Sequence, residues 1–188
     1  MPTERWYDQG RAARDAMIER MKPVIAPQAC SHPEHHVHEP AEYVREVGRV
    51  CVERGLRLTP LRERVLRLIA SAGKPLKAYA LLDMMRDERG AVAPPTVYRA
   101  LDFLLDNGFI HELESINAFV GCHQRRRHHS VPFLICDQCH VAVELEDEGV
   151  TRLLVAQASA LGFKPQAQTL EVHGVCAQCS MSGDTDAD

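Results

Sequence analysis

The sequence predicts an α+β fold in two parts, an N-terminal winged helix-turn-helix domain followed by a small α/β domain built around four cysteines. Three observations carry that prediction. Cys136-Asp137-Gln138-Cys139 and Cys176-Ala177-Gln178-Cys179 are paired knuckles, and four thiolates so spaced suit a closed tetrahedral zinc site. Upstream, helical periodicity runs from Ala41 through several short segments and gives way to two alternating stretches around Phe109-Ile110 and Phe119-Val120, the element order of a winged helix. Between the knuckles lie an alternating run (Val141 to Leu145), a helix-like run (Val150 to Leu161) and a second strand-like run (Gln168 to Val172), so zinc would staple a strand-helix-strand unit.

Residues 1–40 read as a flexible, His-rich extension. A short helical pattern from Arg5 to Met21 is followed by Pro23, Pro27, Pro33 and Pro40, a density of prolines that prevents regular structure. Its four histidines and Cys30 could hold zinc or nickel loosely, and a polar tail without a metal role is the equal alternative.

Residues 41–122 are assigned to the winged helix. Val44, Val47, Val50 and Cys51 share one face of the first helix, which makes Cys51 a core thiol. Thr59-Pro60 starts the next with threonine as N-cap and proline at the first helical position. Leu61, Val65, Leu66 and Ile69 form its apolar stripe, and Gly73 ends it. A third helix is expected over Lys77 to Arg86, with Leu81, Leu82 and Met85 inward. The fourth opens at Pro94-Pro95, buries Val97, Leu101, Leu104 and Leu105, and stops at Asn107-Gly108. A two-stranded wing then turns at Ser115-Ile116-Asn117. In this arrangement the last helix enters the major groove with its N-terminal residues at base edges, which nominates Thr96, Tyr98 and Arg99. Residues 123–130 read as a hinge loop, 131–180 as a dimerisation and metal-binding domain, and 181–188 as a flexible tail. A C-terminal unit of this size buries little core alone, and two copies sharing a sheet would bury more.

Composition is ordinary for a globular chain of 188 residues, 45% hydrophobic and 26% charged. No signal-peptide core and no run of about 18 apolar residues is present, so a cytoplasmic protein with no membrane partner is expected. In a reducing compartment the seven cysteines suit metal ligation or free thiols better than two disulfides. Net charge is -4, yet Arg54 to Ile110 carries ten basic residues against six acidic ones, so one half is placed to meet an anion.

Several of these motifs together resemble the ferric uptake regulator family. They are Leu58-Thr59-Pro60-Leu61-Arg62, Pro95-Thr96-Val97-Tyr98-Arg99-Ala100-Leu101, His128-His129 ahead of the first knuckle, and His173-Gly174 ahead of the second. Ala78-Tyr79-x-Leu81-Leu82 and Pro94 to Leu104 look most like its zinc uptake regulator branch. The resemblance covers about Ala41 to Cys179. It implies a homodimeric, metal-dependent repressor whose winged helix reads operator DNA, with Tyr79 as a further DNA contact and Cys136, Cys139, Cys176 and Cys179 as a structural zinc site.

It also implies a second, regulatory zinc site on His111, Cys122, His129 and Glu144, hence about two zinc ions per chain. Two nitrogens, one sulfur and one oxygen form an acceptable tetrahedral zinc set, and the thiolate favours zinc over iron(II) or manganese(II). His123 and His128 compete with Cys122 and His129 for a place in it. Such a site, drawn from wing, hinge and C-terminal domain, would close in one domain orientation only, so metal would select the DNA-binding arrangement. The alternatives within reach are an iron or peroxide sensor of the same family and a zinc-buffering protein. An enzyme is disfavoured, because no His-Glu-x-x-His helix occurs and four protein ligands leave no position for water.

Overall fold

A computed structural model describes residues 39–86, 92–122, 131–145, 148–165 and 169–183. The expected Arg5–Met21 helix, the His-rich stretch and the 123–130 loop with His123, His128 and His129 lie outside the described residues, as do residues 184–188.

The N-terminal half is a four-helix cluster backed by a small sheet. Helix α1 (Pro40–Glu53) buries Tyr43, Val44, Val47, Val50 and Cys51, a helical repeat of apolar positions facing one way. Helix α2 (Pro60–Ser71) starts as its sequence demands: Thr59 Oγ1 accepts the Arg62 backbone N–H at 3.4 Å, and proline occupies the first turn. Beyond α2, Gly73 takes φ +61°, a left-handed turn that a residue with a Cβ would strain. Helix α3 (Ala78–Met84) is shorter than expected, although Leu81 and Met85 point inward. Helix α4 (Pro94–Asp106) buries Val97, Ala100, Leu101 and Leu104 against the same core. Two of the counted cations serve inside this half, since Arg62 stacks 3.5 Å above the Phe103 ring and Arg54 lies 5.8 Å from that of Phe109.

The wing has three strands where two were expected. Strands β2 (Ile110–Leu113) and β3 (Ala118–Gly121) pair antiparallel, with His111 opposite Val120. The two-residue strand β1 (Leu76–Lys77) adds to the other edge of β3, giving the order β1-β3-β2. Two residues are too few to display alternation, which is why the sequence concealed it.

The C-terminal half is a second three-stranded sheet, β5-β4-β6, of β4 (Phe133–Cys136), β5 (Ala142–Glu144) and β6 (Glu171–Gly174). Strands β4 and β5 are antiparallel, while β4 and β6 are parallel. The parallel pair needs a crossover, which helix α5 (Glu148–Ala160) supplies, and helix α6 (Ala177–Gly183) follows β6. Strand β6 begins at Glu171, later than the Gln168 to Val172 run suggested, because its register is set by β4, with Phe133 opposite Glu171. The two sheets meet through Leu113, Phe133 and Ile135, with Ile116, Val120, Val131 and Ala142 packed around them. Apolar surface remains uncovered in this half: Leu153 is 61% exposed, and Leu134, Val172, Val175, Leu161, Phe163 and Met181 are exposed too. No helix among the described residues is long and apolar enough to cross a membrane.

Candidate metal centres

The four predicted cysteines converge. Strand β4 ends at Cys136, a turn with His140 at φ +61° returns the chain into β5, and Cys176 and Cys179 stand at the start of α6. All four Sγ atoms lie within 4.8 Å of one another, and Cys139 and Cys176 are 3.7 Å apart. A tetrahedral ion with metal–sulfur bonds of about 2.3 Å keeps its sulfurs ~3.8 Å apart, so the donor set and its spacing fit zinc. The backbone prepares the site for negative charge: the N–H groups of Cys139 and Cys176 pull the Cys136 thiol down to about 6. Cys179 is pushed up to about 12, chiefly by its hydrogen bond with Cys176. Metal binding here displaces protons, so the centre's affinity falls as pH falls. Cys51 is different: burial pushes its thiol up, and it lies in the core as expected.

A second cluster forms at the junction of the two sheets. His111 comes from β2, Cys122 from the end of β3 and Glu144 from β5, and their ligand atoms also lie within 4.8 Å of one another. His111 Nε2 and Glu144 Oε2 are 4.0 Å apart, too far for a hydrogen bond and wider than the ~3.4 Å kept by two such ligands on one tetrahedral ion, so the pair would draw together on a shared cation. The His111 ring is braced edge-on against Phe133, its centroid 5.2 Å away. Glu144 is the one buried charged residue among the described ones, and a carboxylate so placed is stabilised by a shared cation. Imidazole, thiol and carboxylate are three of the four expected ligands. The fourth, His129, lies outside the described residues.

Sequence reasoning missed the residue that holds Cys122. The Tyr43 hydroxyl of α1 accepts the Cys122 backbone N–H at 2.9 Å and donates to the Phe109 carbonyl. A Cβ on Gly121 would stand 3.0 Å from that hydroxyl oxygen and 3.1 Å from Cζ, so the close approach needs glycine. The available signal was a tyrosine on the buried stripe of α1, since a buried phenol seeks a polar partner. Tyr43→Phe is expected to lower stability by about 1 kcal/mol. It should also weaken metal binding at the junction several-fold while leaving the four-thiol centre unchanged. Denaturant unfolding and chelator competition measure the two effects.

The nominated DNA-facing residues all lie on the surface near helix starts. Thr96, Tyr98 and Arg99 are exposed on the first turns of α4, and Tyr79 is exposed at the start of α3.

A helix cluster with a wing, joined across a metal-capable junction to a four-thiol α/β unit, defines a winged-helix metalloregulator. The chain belongs to the ferric uptake regulator family, whose family model matches residues 53–173. It is 42% identical over 140 residues to the zinc uptake regulation protein of Escherichia coli K12, spanning 73% of this chain and 81% of that protein. The crystal structure of holo XcZur superposes with a TM-score of 0.70 at 67% identity, covering 74% of this chain and 98% of that one. A zinc uptake regulator complexed with zinc and DNA superposes with a TM-score of 0.74 at 38% identity, covering 78% and 99%.

Proposed function

We propose that this protein is a zinc-responsive transcriptional repressor, not an enzyme, which binds operator DNA as a dimer and controls zinc uptake genes. The observation that carries the reading is the meeting of His111, Cys122 and Glu144 where the wing packs on the C-terminal sheet. The similarity to zinc uptake regulators, one of them bound to zinc and DNA, supports it.

In this reading the winged helix (41–122) and the dimerisation domain (131–180) are joined by the 123–130 hinge, and about two zinc ions are held per chain. Cys136, Cys139, Cys176 and Cys179 hold a structural ion. His111, Cys122 and Glu144 hold a regulatory one, with His129 as the fourth ligand. Zinc supplies at the junction a positive ion that ligands of both sheets share. Because those side chains meet only while the sheets keep this placement, sharing an ion favours it over any parted arrangement. By linkage, operator DNA tightens the same centre by the same factor. Cys122 separates this reading from an iron sensor, since a thiolate prefers zinc over iron(II). The exposed Leu134, Leu153 and Val172 give the dimer its apolar surface.

Arg99, Tyr98 and Thr96 would enter the major groove, with Tyr79 alongside. The test is a zinc titration of binding to upstream DNA of the organism's zinc uptake genes, repeated with iron(II) and with Arg99→Ala. Zinc-dependent retention supports the reading, and iron-dependent retention transfers it to the iron branch. Arg99→Ala is expected to cost specific binding about 10-fold or more at saturating zinc and random DNA much less, as loss of a bidentate base contact would.

A further inference from the structure

Away from both metal centres, a second set of contacts ties the wing to the C-terminal sheet. The backbone N–H of Glu114 donates to Glu171 Oε1 at 2.7 Å, and that of Ser115 donates to Glu171 Oε2 at 3.1 Å. The Ser115 hydroxyl donates to the same Oε2, so three donors of the wing turn converge on one carboxylate of β6. His173, two residues further along the same face of β6, places Nε2 2.9 Å from Ser115 Oγ. Its Nδ1 lies 3.0 Å from Asp137 Oδ1, inside the first cysteine knuckle. Thr169 Oγ1 donates to Glu114 Oε1 at 3.1 Å from the other side. Asp137 is itself fixed, its N–H donating to the Gly174 carbonyl at 2.8 Å. An unbroken line of contacts therefore runs from the wing turn through β6 to the four-thiol centre.

Every wing contact in this line exists only while the wing and the C-terminal sheet hold their present placement, and none uses a metal ligand. The contacts bias the same equilibrium as an ion shared by His111, Cys122 and Glu144. A ligand whose competent state is only fractionally populated binds more weakly by that fraction, so whatever raises the fraction lowers the zinc concentration needed. Resting on the zinc-responsive reading above, we propose that Ser115, Glu171 and His173 are positioning residues. They form a metal-free latch that pre-sets the wing and thereby fixes the zinc threshold of the junction centre.

The test measures zinc affinity of the junction centre by chelator competition, without DNA, on full-length dimer whose four-thiol centre is already loaded. Glu171→Ala is expected to weaken that affinity about tenfold, and Ser115→Ala and His173→Ala about threefold each, with Glu171→Gln in between because one amide oxygen still accepts. Ser115→Ala added to Glu171→Ala should cost less than it does alone, since the Ser115–Glu171 contact is already gone and only that to His173 is left to lose. At saturating zinc, operator affinity of the variants should return to the wild-type value. Unchanged zinc affinity in the single variants overturns the latch. So do full additivity of the pair and loss of the four-thiol zinc, which would make these residues local supports of the knuckle. Wild-type protein that binds zinc but holds operator DNA without it refutes the functional reading instead, and leaves the isotherms to judge the latch.

Discussion

Cys122→Ser is expected to yield a protein that folds, dimerises and keeps its four-thiol zinc, yet needs far more zinc to hold its operator. The junction loses its one soft donor while the four sulfurs of the other centre keep theirs. A serine hydroxyl stays protonated at neutral pH where a metal-bound thiol does not, so the remaining imidazoles and carboxylate would bind more weakly. A shift of the zinc midpoint by at least about 100-fold is expected, because the substitution removes a proposed ligand outright rather than one of its supports. Metal analysis, sedimentation and a zinc titration of operator binding check the three parts. An unchanged midpoint would place the sensor elsewhere, on His123 or the N-terminal histidines. An unfolded variant would make Cys122 structural, through the backbone that Tyr43 holds.

Cys136→Ser or Cys176→Ser is expected to produce the opposite pattern, costing folding stability and dimerisation together. These sulfurs join the end of β4 to the start of α6, across a sheet whose outer face has little covering of its own. Binding free energy of a structural zinc is folding free energy, and losing one of four thiolates removes several kcal/mol of it. For a chain of this size that lowers Tm by about 10 °C or more. The N-terminal helix cluster has its own core around Val65, Leu66 and Leu104 and should retain its secondary structure. Scanning calorimetry and sedimentation measure the loss, and a variant that stays dimeric with an unchanged Tm would refute a structural role.

Helices α1, α2 and α4 were legible because each announces itself locally. The Val44–Val47–Val50 spacing, the Thr59-Pro60 cap and the Pro94-Pro95 start all act within a single turn or two. The cysteine knuckles were legible for a similar reason, since ligand type and spacing are printed in four adjacent residues. Strand β4 was hidden, because Phe133 to Cys136 is a short apolar run that periodicity alone cannot assign. The register of β6 was hidden too, being set by a partner strand far away in sequence. His111 and Glu144 carry no local mark as ligands, and the resemblance alone implied them; the structure brings both to Cys122. The contacts of Ser115, Glu171 and His173 left no trace in pattern, since polar residues over fifty positions apart pair without any period.

The long interval between the two knuckles bears on how the protein is made. Cys136 and Cys139 leave the ribosome together, and Cys176 and Cys179 follow only after α5 and β6 have been added. At about 5–20 residues per second, the first pair waits a few seconds as a bidentate soft chelate. During that wait any thiophilic ion can contest it, and only the arrival of the second pair closes the tetrahedron in favour of zinc. The nascent chain therefore meets the metal supply of its cell before it is able to report on it, and zinc starvation should lower the yield of folded protein as well as its occupancy.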